Sequence, residues 1–419
     1  MSTPVPWADA NTVKAGAPVA PVLTGGALVT VGLACAVCVA NAYYGQPLLA
    51  DIAHGLGLSP RLAGLAPTMT QAGIALGMAF LLPLGDRIDN RVLVTTLLKV
   101  QALALVLMAQ STDAPVYLGA ALLAGTCGIV TYLLPAYATR LVSPDRRGSV
   151  TGALGAGIML GITLGRSMAG IAGQALGWRG VYAAAAVATL LVALVLQRVV
   201  PRTPALVVAS YRSLLASLAT LARTVPLLRR ATVLQALSFG LFNALWIGLA
   251  LRLQQPPFGL DTRRIGLLAL LAISSVVAAP LVGRLADRGG MRLALRGATV
   301  ITLAGWIALV AGAETYTGVV LAMLLCGTGA TASDVVLRSA IYGHAPEQRM
   351  RMNAVYSTGT FIGGSVFSLI TPLGLGQLGW YAVVVGGIAV ASLLLALSWR
   401  ALPGRDRPAP NSELRSGSS

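Results

Sequence analysis

The sequence predicts an all-α membrane protein with twelve transmembrane helices in two six-helix bundles. Three observations carry that expectation. Only 10% of the 419 residues are charged and 56% are hydrophobic, whereas a water-exposed surface of this size needs roughly a quarter charged. Apolar stretches of about 20 residues, the length that crosses a hydrocarbon core, recur from residue 24 to residue 399. The second half of the chain also repeats the first. A soluble enzyme, a nucleic-acid binder and a disulfide scaffold are excluded at this step.

The spans follow in order. The first, 24–50, contains no charge, and 62–84 is uncharged up to Asp86. The stretch 92–111 holds one charge, Lys99; 115–139 holds none; 149–175 holds one, Arg166; and 179–200 begins at Arg179 and closes on Arg198. After a break, 230–253 and 264–284 are bounded by arginines at both ends, and 293–313 has Arg296 near its start. The tenth, 317–342, carries Asp334 and Arg338, while 351–377 beyond Arg351 and 380–399 are uncharged. The break, 201–229, contains Arg202, Arg212, Arg223 and Arg229. Within it, Tyr211 to Ala222 has amphipathic spacing, with Leu214, Leu215, Leu218 and Leu221 facing down onto the cytoplasmic surface. The expected organisation is a tail at 1–23, a bundle at 24–200, a central loop at 201–229, a second bundle at 230–399 and a tail at 400–419.

The net charge of +17 is a topology signal. Of 30 Lys and Arg, 23 belong to one side and five to the other (Arg61, Arg179, Arg252, Arg263 and Arg264), with Lys99 and Arg166 inside spans. That asymmetry places both termini in the cytoplasm of an inner (plasma) membrane, with the basic face toward anionic inner-leaflet lipids and no nucleic-acid partner. The N-terminal stretch has no apolar core of a signal peptide. Cys35, Cys38, Cys127 and Cys326 all lie in apolar runs, where packing is the expected role.

The repeat has a measurable offset. Adding 202 maps Asn41-Ala42 onto Asn243-Ala244, Gly64 onto Gly266, Gly157 onto Gly359, Gly161 onto Gly363 and Gly177-Trp178 onto Gly379-Trp380. Parallel six-helix repeats of this kind suit a rocking carrier with its site between the halves. The segment Gly283-Arg-Leu-Ala-Asp287-Arg288-Gly-Gly290-Met-Arg292 matches the loop signature Gly-x-x-x-Asp-Arg-x-Gly-x-Arg of the major facilitator superfamily. The copy at Asp86, Arg87 and Arg91 keeps the charges but has Leu82 and Asp89 at the glycine positions. The chain therefore resembles that superfamily over nearly its whole length. Asn41-Ala-Tyr-Tyr44-Gly-Gln46-Pro47 and Pro144-Asp-Arg-Arg147-Gly are similar to bacterial drug and sugar-efflux permeases within it. The fifth span keeps Gly157, Gly161 and Gly165 of the efflux signature but has Ile162 at its proline and Arg166 at its last glycine.

No phosphate-cradling motif, metal cluster or catalytic group is present, and His54 and His344 stand alone. No cofactor and no enzymatic activity are expected. The resemblance implies a monomeric carrier that moves a small molecule by alternating access, driven by a proton gradient. The favoured function is efflux of a drug- or sugar-like compound; the alternative is proton symport of a small organic anion. Asp334, roughly 12 Å from the inner end of its span, is the only acid well inside the membrane. It reads either as the proton carrier or as the structural partner of Arg338, one turn on. Arg166 reads as a fixed positive charge in the cavity or as a snorkelling anchor. Asn41, Tyr44, Gln46, Asn243 and Trp246 are expected to line the cavity, with Gln71, Asn353 and Tyr356 in second place; for each the alternative is a hydrogen bond from helix to helix. A cytoplasmic gate is expected from Asp86, Arg87, Arg91, Arg140, Arg147, Asp287, Arg288, Arg292 and Arg349. Its ion pairs would bridge helices and hold the outward-facing state shut.

Overall fold

The computed structural model describes residues 25–202, 210–272, 281–284, 288, 290–312, 315–344, 348–399 and 401–402. Among these the chain is helical, with no β-strand. That is what lipid demands of a chain that is not a closed barrel, because every backbone N–H and C=O must find its partner within the segment.

Among the described residues eight helices have the length and apolarity to cross a membrane, and two of them are far longer than one crossing: Arg147–Val199 with 53 residues and Arg349–Ser398 with 50. Each is interrupted by one glycine with positive φ, Gly177 at 66° and Gly379 at 82°. These are the repeat-equivalent glycines, and left-handed backbone is open to glycine without penalty. Each interruption reverses the chain without a loop. The part after Gly177 returns along the third span, where Arg179 donates to the Ser111 carbonyl at one end (2.9 Å) and Lys99 donates to Gln197 at the other (3.0 Å). The long helices therefore hold spans five and six and spans eleven and twelve. With Gly25–Ala40 and the partly described eighth span, the architecture is consistent with twelve crossings.

The first span departs from expectation. It is a helix only from Gly25 to Ala40; 41–48 form tight turns, and a second short helix covers Leu49–Gly55. Three-residue hydrogen bonds such as Tyr43 N–H to the Ala40 carbonyl (2.9 Å) replace the α-helical pattern. Pro47 supplies no N–H to continue it.

Within each half, the first and fifth spans pack through small residues. Gly157, Gly161 and Gly165 face Gly32, Ala36 and Ala40, while Gly359 and Gly363 face Thr232 and Ala236. Lipid offers no hydrophobic drive between helices, so close backbone approach and dispersion hold them together. A β-carbon on Gly161 would stand 2.5 Å from the Ala36 carbonyl oxygen, whereas one on Gly152 would meet nothing within 4 Å. Gly161→Leu is therefore expected to lower stability by about 3 kcal/mol, visible as an earlier thermal loss of the monodisperse elution peak, and Gly152→Leu to leave it unchanged.

Each half has its own core. One hydrophobic cluster lies almost wholly within 228–402. Two others lie within 27–200, apart from Ala354 and Phe361 in one and Ile247 and Leu251 in the other. The amphipathic segment forms a helix, Tyr211–Thr224, but its leucine face meets protein. Leu214 is buried beside Leu82 and Pro83 of span two and Met350 and Ala354 of span eleven, so the helix straps the two halves at their basic ends. This corrects the expectation of a helix whose leucine face turns down onto the cytoplasmic surface: the leucines gain more from a complementary apolar groove.

Candidate functional site

Two polar clusters lie where the halves meet. The first is centred on Arg166 of span five, whose side chain is 1% exposed. Its guanidinium stands over the rings of Tyr43 (4.3 Å), Trp246 (4.8 Å) and Phe242 (5.9 Å). Its Nε donates to Gln46 Oε1 at 2.7 Å, and Gln46 Nε2 donates in turn to Asn243 Oδ1 at 3.2 Å. Arg166 and Gln46 belong to the first half and Asn243 to the second, so this chain of hydrogen bonds spans the interface. The turns at 41–48 bring Tyr43 and Gln46 to the same guanidinium. Among the described residues, no carboxylate pairs with Arg166 and nothing accepts from its two terminal nitrogens. A charge buried this way without an opposite costs several kcal/mol, only part of which the aromatic faces return. The snorkelling alternative does not fit, because the side chain is enclosed by protein on all sides.

The second cluster is centred on Asp334 of span ten. Its Oδ2 pairs with Arg338 Nε at 2.8 Å, and its Oδ1 accepts from the Tyr356 hydroxyl at 2.9 Å. Arg338 also donates to Asn353 Oδ1 (2.6 Å), which accepts from Tyr342 (2.9 Å) and Ser357 (3.3 Å) as well. Unlike Arg166, the pair retains partial exposure, with side chains 26% and 30% accessible. Tyr132 of the first half faces Phe361 edge-on at 6.1 Å and lies within Coulombic reach of Tyr43, Asp334 and Arg338. It therefore stands between the two clusters.

The end away from the basic loops is shut. Gly170 of span five meets Gly266 of span eight, and Gly64 of span two meets Ser368 and Pro372 of span eleven. Ser167 donates to the Gly266 carbonyl (3.1 Å), and Thr262 donates to Asp51 (2.9 Å). Gly170 is one turn beyond Arg166, so this closure seals the aromatic cage.

The basic end holds one of the expected ion pairs. Asp86 pairs with Arg140 at 2.8 Å, which ties spans two and four within one half. Arg349 donates to the Tyr342 carbonyl and Arg292 to the Leu402 carbonyl, both within the other half. Arg87 and Arg147 are exposed, Arg91 is half-buried, and among the described residues none of the three has an ion pair. Arg288 is exposed, and Asp287 lies outside the described residues. The Asp86–Arg140 pair stays within one half; pairs between the halves belong to the state shut at this end, whereas here the other end is closed. At this end Gly148, Gly152 and Gly155 have open space beside them. Nearby, Asp145 lies below the usual carboxylate range because the Ser143 hydroxyl donates to it.

Of the expected cavity residues, the fold unites Gln46, Arg166, Asn243 and Trp246 in one cluster and Asp334, Asn353 and Tyr356 in the other. Asn41 takes the helix-to-helix role: its Nδ2 donates to Thr189 (2.9 Å), joining spans one and six inside the first half. Tyr44 is half-buried beside Gly165, and Gln71 is buried with neither amide atom partnered. Tyr43, Tyr132, Phe242 and Tyr342 join the clusters without having been expected there. The only signal for Tyr43 was its place beside Tyr44 in a segment containing Gly45 and Pro47.

Two helical halves with separate cores, joined through polar clusters and closed at one end, define a polytopic membrane transporter. The family model of the Major Facilitator Superfamily matches residues 31–349 and again 231–418. The chain belongs to that superfamily and is a transporter, not an enzyme. It is 32% identical over 373 residues to the transporter YgaY of Escherichia coli (strain K12), covering 89% of this chain and 95% of that one. It is 24% identical to a protein of Mannheimia succiniciproducens named as a sugar efflux transporter, covering 83% and 88%. In fold it is similar to the nucleoside transporter NupG, with a TM-score of 0.70 at 14% identity over 90% of this chain and 100% of that one.

Proposed function

We propose that the protein exports a small organic compound in exchange for protons, working as a monomer in the inner membrane with its basic face in the cytoplasm. The observation that carries this reading is the Asp334–Arg338 pair. Uptake of a proton by Asp334 cancels the charge that holds Arg338, and the guanidinium then rests on Asn353 and the Tyr356 ring. The protonation state of Asp334 thereby changes the charge that the site presents to the cargo. A gradient is the energy source, and no cofactor takes part. The reading of direction rests on the relatives named for sugar efflux. Import of an organic anion by proton symport is the second reading, favoured by the lack of an acid beside Arg166 among the described residues.

The test is growth of a host that overproduces or lacks the protein, scored across antibiotics, sugars and organic acids at two pH values. Efflux predicts that overproduction raises the tolerated concentration of one class. Raised sensitivity, or growth on a carbon source only when the protein is present, overturns efflux in favour of uptake.

A further inference from the structure

We propose that Arg166 is the recognition group for an organic carboxylate, so that the cargo carries one negative charge and seats it against the guanidinium inside the cage of Tyr43, Trp246 and Phe242. This rests on the reading of the protein as a carrier of small organic compounds, but not on the direction of transport or on its coupling to protons.

A guanidinium has five N–H groups. Arg166 directs the one on Nε to Gln46, which leaves the fork formed by the two terminal nitrogens. Aromatic rings stand against the faces of the group, so an incoming partner must approach along its edge. A planar carboxylate fits that fork with two parallel hydrogen bonds. Charge balance points the same way. Asp334 and Arg338 neutralise each other on the other wall, so Arg166 is the one buried charge in the interface without an opposite among the described residues, and a monoanion cancels it. The apolar rings suit the organic body of the ligand and do nothing for the hydration shell of an inorganic ion. The cage is closed by Gly170 and Gly266 on one side, so a ligand enters from the opposite side.

The full-length protein in nanodiscs is titrated calorimetrically with benzoate, phenylacetate and cyclohexanecarboxylate, each against its neutral amide. At least one carboxylate is expected to bind about tenfold or more tightly than its amide, the size of a charge-assisted pair. Arg166→Gln is expected to erase that preference. Arg166→Lys, which keeps the charge and loses the fork, is expected to weaken the carboxylate by about tenfold, and it decides the matter if the glutamine variant elutes as aggregate. The proposal is overturned if no carboxylate is preferred to its amide, if the preference survives in Arg166→Gln, or if chloride displaces the carboxylate at equal concentration. A carrier that prefers carboxylates yet ignores pH overturns proton coupling alone. One that responds to pH without the preference overturns this inference alone.

Discussion

Asp334→Asn is expected to abolish pH-gradient-driven transport in proteoliposomes, by at least ~100-fold or about 2.8 kcal/mol at 1.4 per tenfold, while exchange of cargo for cargo without a gradient continues. Asparagine keeps the size of the side chain and can still accept from the Tyr356 hydroxyl, so the variant is expected to fold. Arg338 keeps its 2.6 Å bond to Asn353 and its partial contact with water, which limits the penalty of losing its acid. What the variant lacks is the ability to switch between a charged state that grips Arg338 and a neutral one that releases it. Loss of gradient-driven transport together with loss of exchange would mean that Asp334 only holds the site together. Unchanged gradient-driven transport would remove it from the coupling step altogether.

The spans were legible because lipid makes the pattern compulsory: a crossing needs about 20 apolar residues whatever its neighbours do. The break at 41–48 was hidden because Gly and Pro are ordinary inside membrane helices, where neighbouring helices satisfy the freed backbone groups. That break decides which of two adjacent tyrosines reaches Arg166, so Tyr44 was chosen and Tyr43 passed over. Asn41 and Asn243 occupy equivalent places in the repeat yet serve differently, one within its half and one across the interface. Sequence symmetry fixes position along a helix but not the partner across it. Asp334 and Arg166 stood out for a physical reason, since a charge in hydrocarbon is expensive enough to be rare. The gate was legible only in part: Asp86 finds Arg140 on a neighbouring helix as its motif suggests, but loop arginines look the same whether they bridge two halves or only anchor one.

The repeat carried one message that only the tertiary structure explains. Gly64 and Gly266, matched by the same offset, are both gate residues, one against span eleven and the other against span five. Gly266→Val is therefore expected to hold the sealed end apart. A β-carbon at Gly266 would lie 2.8 Å from the Gly170 Cα and 3.0 Å from the Arg166 carbonyl oxygen, and both are backbone atoms that cannot rotate away. Valine adds two methyl groups to that overlap, so the closed contact is lost and the population moves toward the state open at this end. The readout is a cysteine at Ser167, a residue now buried and bonded to the Gly266 carbonyl. The four native cysteines are buried and make little background. In the Gly266→Val background, Ser167→Cys is expected to react at least about tenfold faster with a membrane-impermeant maleimide, a shift of roughly 1.4 kcal/mol in the gate equilibrium. Transport is expected to fall at the same time, because a carrier that cannot close one end cannot safely open the other. Gly297→Val, at a glycine with nothing within 4 Å, is the matched control and is expected to change neither. Equal labelling in the two variants would mean that the Gly170–Gly266 contact is incidental to the closure.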